Sequence, residues 1–156
     1  MKIEKTNALR LLDEANIKYE INTYDENITN GNLIASILNE DPNEVFKTLV
    51  TINNNKEYFV FCIPANTTLN LKKAALVTSS KYIEMIKDKD LLSVTSYIHG
   101  GCSPIGMKKR FKTYIDETCI LYNHIYISGG RRGLQIKIDP NDLINYLNIT
   151  PYDLTN

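Results

Sequence analysis

The stretch KTLVTINNNKEYFVFCI, residues 47–63, decides the fold class because two strand-forming runs flank a short turn. Residues 47–52 and 58–63 are rich in the β-branched and aromatic side chains that are typical of strands. The three asparagines at 53–55 predict a tight connection between them. We therefore expect the two runs to pair as an antiparallel hairpin.

Helical and strand patterns elsewhere do not alternate regularly. The other predicted strands span residues 19–24, 111–115, 120–128 and 134–138. The predicted helical segments span residues 6–15, 33–38, 41–44, 71–77, 81–96 and 139–147. Thr6 and Asp139 are the expected N-caps of the first and last helices. This irregular order predicts an α+β fold with a mixed or curled sheet, rather than a doubly wound parallel sheet.

Composition and charge limit the classes of function. The 156 residues are 43% hydrophobic and 23% charged, which predicts a single globular domain over residues 1–156. The 18 Lys and Arg residues balance the 18 Asp and Glu residues, so bulk positive charge cannot hold nucleic acid. The charged residues between 101 and 137 are nevertheless mostly basic, whereas those between 25 and 57 are mostly acidic. The basic region is either a binding surface or an ordinary solvated edge.

The cysteines and the N-terminal residues indicate a compartment. Three cysteines without a Cys-x-x-Cys pair, together with two histidines, argue against a zinc site. Residues 1–5 lack a signal-peptide pattern, and no apolar run reaches the length of a membrane span. The sequence therefore predicts a cytoplasmic protein with reduced thiols and no metal.

The segment GGCSPIGMKKR, residues 100–110, is the first candidate for a functional site. Gly100 and Gly101 let the backbone approach a ligand closely, and their N–H groups could bind an oxyanion. Lys108 and Lys109 follow as possible phosphate ligands. Gly-Gly and Ser-Pro pairs also occur in plain turns, so a structural interpretation stays open.

A second glycine-rich segment, SGGRRG at residues 128–133, joins two predicted strands. It is either a hairpin turn or the opposite wall of a binding cleft. In the second case the residues that face the ligand or its phosphates are Ser128, Gly129, Gly130, Arg131 and Arg132.

Individual side chains give weaker signals. Lys47 begins an apolar strand and either extends along the sheet edge or directs its ammonium group into a cleft. Cys102 and His99 could form a nucleophile–base pair, but no third group that would orient them is evident. We therefore do not expect a cysteine nucleophile.

Several segments together resemble the YbaK/EbsC family of freestanding aminoacyl-tRNA deacylases. The matching pieces occur in the family's order over about residues 2–147, at 5–12, 45–50, 69–75, 100–109, 115–116 and 127–134. The resemblance implies a barrel-like mixed sheet with flanking helices, as in the editing domain inserted in bacterial prolyl-tRNA synthetases. It also implies removal of cysteine from Cys-tRNA(Pro), with no metal or cofactor.

The resemblance also implies roles for single residues. Lys47 matches the family's essential lysine, and the glycine loop at Gly100 and Gly101 completes the catalytic set. Two departures concern Cys102, where an aliphatic or small residue is common, and Gln135, where some members carry an acid. The remaining matches to a substrate pocket are Tyr24, Thr48, Ser128, Gly129, Gly130 and Gln135.

The expected chemistry is cleavage of an activated ester between an amino acid and a ribose hydroxyl. The chain has no convincing nucleophile of its own, so the thiolate of the substrate cysteine could attack its own carbonyl carbon. Two alternatives stay open: a related editing enzyme that uses water on an alanyl or seryl ester, and a non-catalytic binding module. Transient presentation by prolyl-tRNA synthetase and weak tRNA binding are expected, the latter through Lys108, Lys109, Arg131 and Arg132. Valine at Gly101 should damage catalysis more than stability.

Overall fold

A computed structural model describes residues 4–156. Residues 1–3 lie outside the described residues. They belong to the segment 1–5 that lacks a signal-peptide pattern, and they include the start of the match to the YbaK/EbsC family. The helices are α1 (Asn7–Glu14), α2 (Gly31–Ile37), α3 (Leu71–Val77), α4 (Asp88–Thr95) and α5 (Pro140–Leu147). The strands are β1 (Tyr19–Thr23), β2 (Phe46–Asn53), β3 (Tyr58–Pro64), β4 (Ile83–Met85), β5 (Lys112–Asp116), β6 (Ile125–Ser128), β7 (Leu134–Ile138) and β8 (Pro151–Tyr152).

The predicted hairpin at residues 47–63 is confirmed. Strands β2 and β3 pair antiparallel from Phe46 opposite Pro64 to Ile52 opposite Tyr58. The side-chain oxygen of Asn53 accepts hydrogen bonds from the backbone N–H groups of residues 55 and 57, at 3.0 and 2.8 Å. Asparagine readily makes such local bonds, which explains why this connection turns so tightly.

Two sheets form the scaffold. The larger has the strand order β4-β2-β3-β5-β8, in which β5 is parallel to both β3 and β8 and the other pairs are antiparallel. The smaller is antiparallel, with the order β1-β7-β6. The mixed sheet is therefore confirmed. The barrel-like description is wrong, because neither sheet closes: within residues 4–156 the strand pairing between them is an isolated bridge from Val45, next to β2, to Tyr126, although their side chains share one core.

The terminal helices begin where the sequence predicts, and both pack against the smaller sheet. The Thr6 side chain caps α1 by accepting a hydrogen bond from Leu9 N–H, and Asp139 caps α5 in the same way through Asn141. Helix α1 buries Ala8, Leu9 and Leu12, and α5 buries Leu143; these side chains join strand residues such as Ile127 and Ile136 in one core. Burial of each large side chain contributes about 1.5–3 kcal/mol to folding.

Two predicted elements are wrong in extent. The sequence predicts a helix over residues 81–96, but strand β4 precedes α4 because Ile83 pairs with Asn53 and is buried at the sheet edge. Residues 120–128 form a strand only over β6. The segment before it, Glu117–Leu121, is a 3-10 helix capped by the Asp116 carboxylate, which accepts from Thr118 N–H at 3.2 Å.

Helix α2 and its neighbouring turn also differ from expectation. The apolar residues at 33, 34, 37 and 38 form a helical stripe in the sequence, but only Ile34 of the first three is buried, while Leu33 and Ile37 are 50% and 51% exposed. The expected helical turn at residues 41–44 is an isolated turn, closed by a hydrogen bond from Glu44 N–H to the Asp41 carbonyl at 2.9 Å. The chain then enters β2, which carries Lys47.

Candidate active site

A pocket of about 180 Å³ lies where the first residues of β2 approach the end of β6. The two sheets meet here through the bridge between Val45 and Tyr126, and both residues line the pocket. The lining includes six residues predicted from the sequence: Tyr24, Lys47, Thr48, Gly100, Ser128 and Gln135. The structure therefore brings together residues that lie as far apart in the chain as 24 and 135.

Lys47 is half-buried on β2, and its Nζ donates a hydrogen bond to the Thr67 carbonyl at 2.7 Å. Burial lowers the pKa of Lys47, and the structure gives it no carboxylate partner within residues 4–156. An ammonium group has three donors, so two remain for a ligand. The position of Lys47 thus fits an ammonium group directed into a cleft better than a lysine that extends along a solvated sheet edge.

Tyr24 and Thr48 also line the pocket. The Tyr24 N–H donates to the Gly133 carbonyl at 3.0 Å, which ties the end of β1 to the second glycine-rich segment. Burial raises the pKa of Tyr24, so its hydroxyl stays protonated and can donate a hydrogen bond at neutral pH. The Thr48 hydroxyl makes a long hydrogen bond of 4.0 Å with the Cys62 sulfur, a weak contact with which a ligand can compete.

The two glycine-rich segments pack against each other through their backbones. A Cβ atom at Gly101 would lie 2.9 Å from the carbonyl carbon of Arg131 and from the backbone nitrogen of Arg132. The Arg132 Nε also donates to the His99 carbonyl at 2.8 Å. Glycine at 101 is therefore required by this close approach, since any side chain would push the segments apart.

The backbone amides of the first glycine segment differ from expectation. Gly101 N–H donates to the Ile98 carbonyl at 2.9 Å, and Gly101 does not line the pocket. Gly100 and Cys102 do line it, and their N–H groups have no hydrogen-bond partner within residues 4–156. The amides available to an oxyanion are therefore those on either side of Gly101, while Gly101 itself supports the loop.

The second glycine-rich segment contributes one predicted residue directly. Ser128 lines the pocket, and its hydroxyl accepts a hydrogen bond from Gly130 N–H at 3.2 Å. Gly129 N–H donates to the Leu134 carbonyl, and the Gly129 carbonyl accepts from the Thr6 hydroxyl. Gly129 and Gly130 do not line the pocket, so the structure places them behind its wall.

Cys102 and His99 both line the pocket, but they do not form a nucleophile–base pair. Cys102 is 7% exposed, and burial raises the pKa of its thiol to about 12, which keeps it protonated at neutral pH. The exposed His99 ring instead points its Nδ1 to within 3.9 Å of Asp88. No hydrogen bond joins the thiol to the imidazole in the part of the chain that the structure describes.

We predict that Cys102→Ser retains activity within about threefold of wild type, because a protonated, buried thiol is not a nucleophile. The measurement is the deacylation rate of the folded variant. Cys119→Ser is the matched control, since Cys119 is also buried but does not line the pocket. A rate that collapses only in Cys102→Ser would restore the cysteine-nucleophile interpretation.

Gln135 belongs to a polar network that the sequence did not reveal. Its Nε2 donates to Glu40 at 3.0 Å, and its Oε1 accepts from Asn22 at 3.1 Å. Asn22 also donates to Glu40 at 3.1 Å. The expectation that Gln135 removes a negative charge from this position is incomplete, because Glu40 places a carboxylate next to it. No local pattern marks Glu40, which lies among many acids between residues 25 and 57.

The four predicted tRNA-binding residues fall into two groups. Arg131 is exposed and Arg132 half-buried, and both lie against the glycine loop. Lys108 and Lys109 are exposed on the following segment, where Lys109 lines a separate cavity of about 240 Å³. Because Arg132 bonds the His99 carbonyl, it supports the loop in addition to any contact with phosphate.

Residues 4–156 contain neither a metal-binding cluster nor a membrane-spanning helix. No group of three or more His, Cys, Asp or Glu side chains is arranged to hold a metal ion there. None of the helices in this range has both the length and the apolar character that a bilayer crossing requires.

Comparisons with known proteins agree with this fold. A protein of Enterococcus faecalis (strain ATCC 700802 / V583), provisionally named Cys-tRNA(Pro)/Cys-tRNA(Cys) deacylase EbsC, is 40% identical over 147 residues, covering 93% of this chain and 90% of that protein. Two solved structures share the fold at lower identity. The hypothetical protein APE2540 superposes with a TM-score of 0.90 at 16% identity, covering 97% of this chain and 100% of that one.

The second solved structure is a provisionally assigned trans-editing enzyme for prolyl tRNA synthetase, with a TM-score of 0.84 at 18% identity and 99% coverage of both chains. The family described as the aminoacyl-tRNA editing domain matches residues 26–146, a range that contains Lys47, both glycine segments and Gln135. This chain therefore belongs to the aminoacyl-tRNA editing domain family.

Proposed function

We propose that this protein is a trans-editing deacylase that removes cysteine from mischarged Cys-tRNA(Pro) and also accepts Cys-tRNA(Cys). One observation carries the proposal: Lys47, Gly100 and Cys102 line one small pocket, the N–H groups of Gly100 and Cys102 have no partner within residues 4–156, and the described lining includes no nucleophile–base pair. Such a pocket can bind and polarise an ester but offers no attacking side chain, so the nucleophile is either water or a group of the substrate, and a cysteine thiolate is the stronger of the two.

The substrate thiolate supplies the nucleophile in this mechanism. Its sulfur forms a bond to its own carbonyl carbon, giving a tetrahedral oxyanion that Lys47 and the Gly100 amide stabilise. The bond between that carbon and the ribose oxygen then breaks, and the ribose oxygen takes up a proton. The products are a four-membered cysteine thiolactone, which water can open, and tRNA with a free 3′ end. Tyr24, Thr48 and Ser128 hold the aminoacyl group in this geometry.

The decisive experiment compares Cys-tRNA(Pro), Ser-tRNA(Pro), Ala-tRNA(Pro) and Cys-tRNA(Cys) in parallel deacylation assays. We expect both cysteinyl esters to be cleaved and the seryl ester to be cleaved far more slowly, because a hydroxyl is a much weaker nucleophile than a thiolate. Equal cleavage of the seryl or alanyl ester would indicate attack by water. No cleavage of any ester would indicate a non-catalytic binding module.

Recognition of the tRNA in this proposal is electrostatic and limited to the acceptor end. The whole chain, residues 1–156, acts as one editing domain in the cytoplasm. Because its net charge is zero, free tRNA should bind weakly. A transient complex with prolyl-tRNA synthetase would then present the proline tRNA, and the pocket would select the amino acid.

We predict that neutralising Lys108, Lys109 and Arg131 with glutamine weakens binding of tRNA but spares cleavage of a short cysteinyl-adenosine ester. Removing one lysine–phosphate or arginine–phosphate interaction should reduce the slope of log K against log salt by roughly 0.7–0.9. Arg132 stays unchanged because it bonds the His99 carbonyl. The control is Lys72→Gln with Lys89→Gln, two exposed lysines on α3 and α4. A tight, salt-insensitive complex with free tRNA would contradict this prediction.

A further inference from the structure

The Asn22–Gln135–Glu40 network fixes the orientation of a side chain that lines the pocket. Glu40 accepts through one oxygen from Gln135 and through the other from Asn22, at 3.0 and 3.1 Å. An ionised carboxylate can only accept, so both carboxamides must turn their NH₂ groups toward it. The Gln135 oxygen then receives a single hydrogen bond, from Asn22 at 3.1 Å, and keeps a second lone pair.

We propose that Glu40 is a positioning residue that holds Gln135 so that the Gln135 carboxamide oxygen binds the α-ammonium group of an aminoacyl ester. The Glu40 carboxylate supplies the negative charge that this cation needs. The inference rests on the proposed editing function and names the part of the substrate that this wall of the pocket recognises. Gln135 touches the substrate in this arrangement, and Glu40 acts through it.

The charges around the pocket explain why an acceptor is needed at this place. The substrate carries a positive α-ammonium group, and the pocket already contains the Lys47 ammonium group, so like charges would repel each other. Among the described residues that line the pocket, none is an Asp or a Glu. Two carboxylates contact the lining: Asp88 lies 3.9 Å from the exposed His99 ring, whereas Glu40 bonds Gln135, which is only 4% exposed and therefore shielded from solvent.

The negative charge of Glu40 affects two side chains that line the pocket. Burial raises the pKa of Tyr24 and of Tyr126, and the negative charge of Glu40 adds to the increase in both. Both tyrosines line the pocket. Burial also raises the pKa of Glu40 itself, whereas hydrogen bonds from Gln135 and Asn22 oppose that increase and stabilise the charged form.

The test uses Glu40→Gln and two esters of the same proline tRNA. One ester carries cysteine and the other carries 3-mercaptopropionate, which keeps the thiol but lacks the ammonium group and adds no bulk. We expect KM for the cysteinyl ester to rise about tenfold in the variant, since the hydrogen bond to a charged group is weakened or absent. Cleavage of the 3-mercaptopropionyl ester should change by less than about twofold, because it has no cation to bind.

Two further variants separate recognition from general structural damage. Glu44→Gln removes the same charge from a nearby carboxylate that contacts His124 rather than Gln135, and it should leave the preference between the two esters intact. The exchanged pair Glu40→Gln with Gln135→Glu moves the carboxylate into the lining and should restore the preference for the cysteinyl ester. Thermal unfolding of each variant shows whether it is folded.

The outcomes distinguish this inference from the function on which it rests. If wild type cleaves the cysteinyl ester but Glu40→Gln slows both esters equally, Glu40 has only a structural role and the inference is overturned. The same holds if the exchanged pair folds and does not recover the preference. If wild type cleaves neither ester, the proposed function fails first and the inference falls with it.

Discussion

Replacing Lys47 by methionine should reduce deacylation of Cys-tRNA(Pro) by on the order of 10²–10³-fold, while the protein stays folded. Methionine keeps an apolar stem against the start of β2 but removes the ammonium group to which the proposed mechanism assigns stabilisation of the oxyanion. It also removes the bond to the Thr67 carbonyl, which contributes about 1 kcal/mol to folding. Single-turnover deacylation and thermal unfolding measure the two effects separately.

The matched control for Lys47 is Lys72→Met, because Lys72 is an exposed lysine on α3 with no role in the pocket. It should leave the rate unchanged. Arginine at position 47 keeps the charge but not its compact geometry, so Lys47→Arg should recover only part of the activity. A folded Lys47→Met protein that deacylates at the wild-type rate would eliminate the proposed mechanism.

Valine at Gly101 should lower stability and activity together. Its Cβ would lie 2.9 Å from the backbone of Arg131 and Arg132, where neither side can yield by changing a rotamer. Overpacking of this kind costs about 1–3 kcal/mol, and for a chain of this size it lowers Tm by several degrees. The same displacement moves Gly100 and Cys102 away from the substrate, so the deacylation rate should fall at least about tenfold. Calorimetry and a deacylation assay on one preparation check both.

The sequence alone predicts that this substitution damages catalysis more than stability, and the packing of the two segments changes that expectation. Ile98→Ala is the control, since Ile98 belongs to the same loop but is 45% exposed and accepts from Gly101 through its backbone only. It should alter neither quantity appreciably. Loss of activity in Gly101→Val without any fall in Tm would favour a purely catalytic role for this glycine.

Local chemistry made much of the fold predictable. The asparagine-rich hairpin, the Thr6 cap and the Asp139-Pro140 start of α5 depend on residues within a few positions of one another, so the sequence contains the whole cause. Strand β4 is not predicted because it depends on a distant partner, whereas the 3-10 helix before β6 has a local cap at Asp116 that the strand-like run over residues 120–128 concealed. Ile83, for example, becomes a strand residue only because the edge of β2 is open beside it.

The candidate site was predictable where a motif marks it and obscure where only packing does. Lys47 and the two glycine segments are recognisable from the residues around them, and the pocket contains Lys47, Gly100 and Ser128. Glu40 lies 95 positions from Gln135, so no spacing rule joins them. The sequence also could not separate Gly101, which supports the loop, from Gly100, which lines the pocket, since both appear as one glycine pair.

The boundary between the two sheets, where Val45 pairs with Tyr126, affects how pockets of this kind can change during evolution. Lys47 lies on the larger sheet and Ser128 on the smaller one, and a single backbone bridge joins the described parts of the sheets between them. A substitution remote from the pocket that slides one sheet relative to the other would therefore change the width of the opening while leaving every lining residue in place. Relatives with identical lining residues can thus acquire different amino-acid preferences. A comparison of substrate preference among relatives therefore has to include the residues that pack beneath the sheets as well as those that line the pocket.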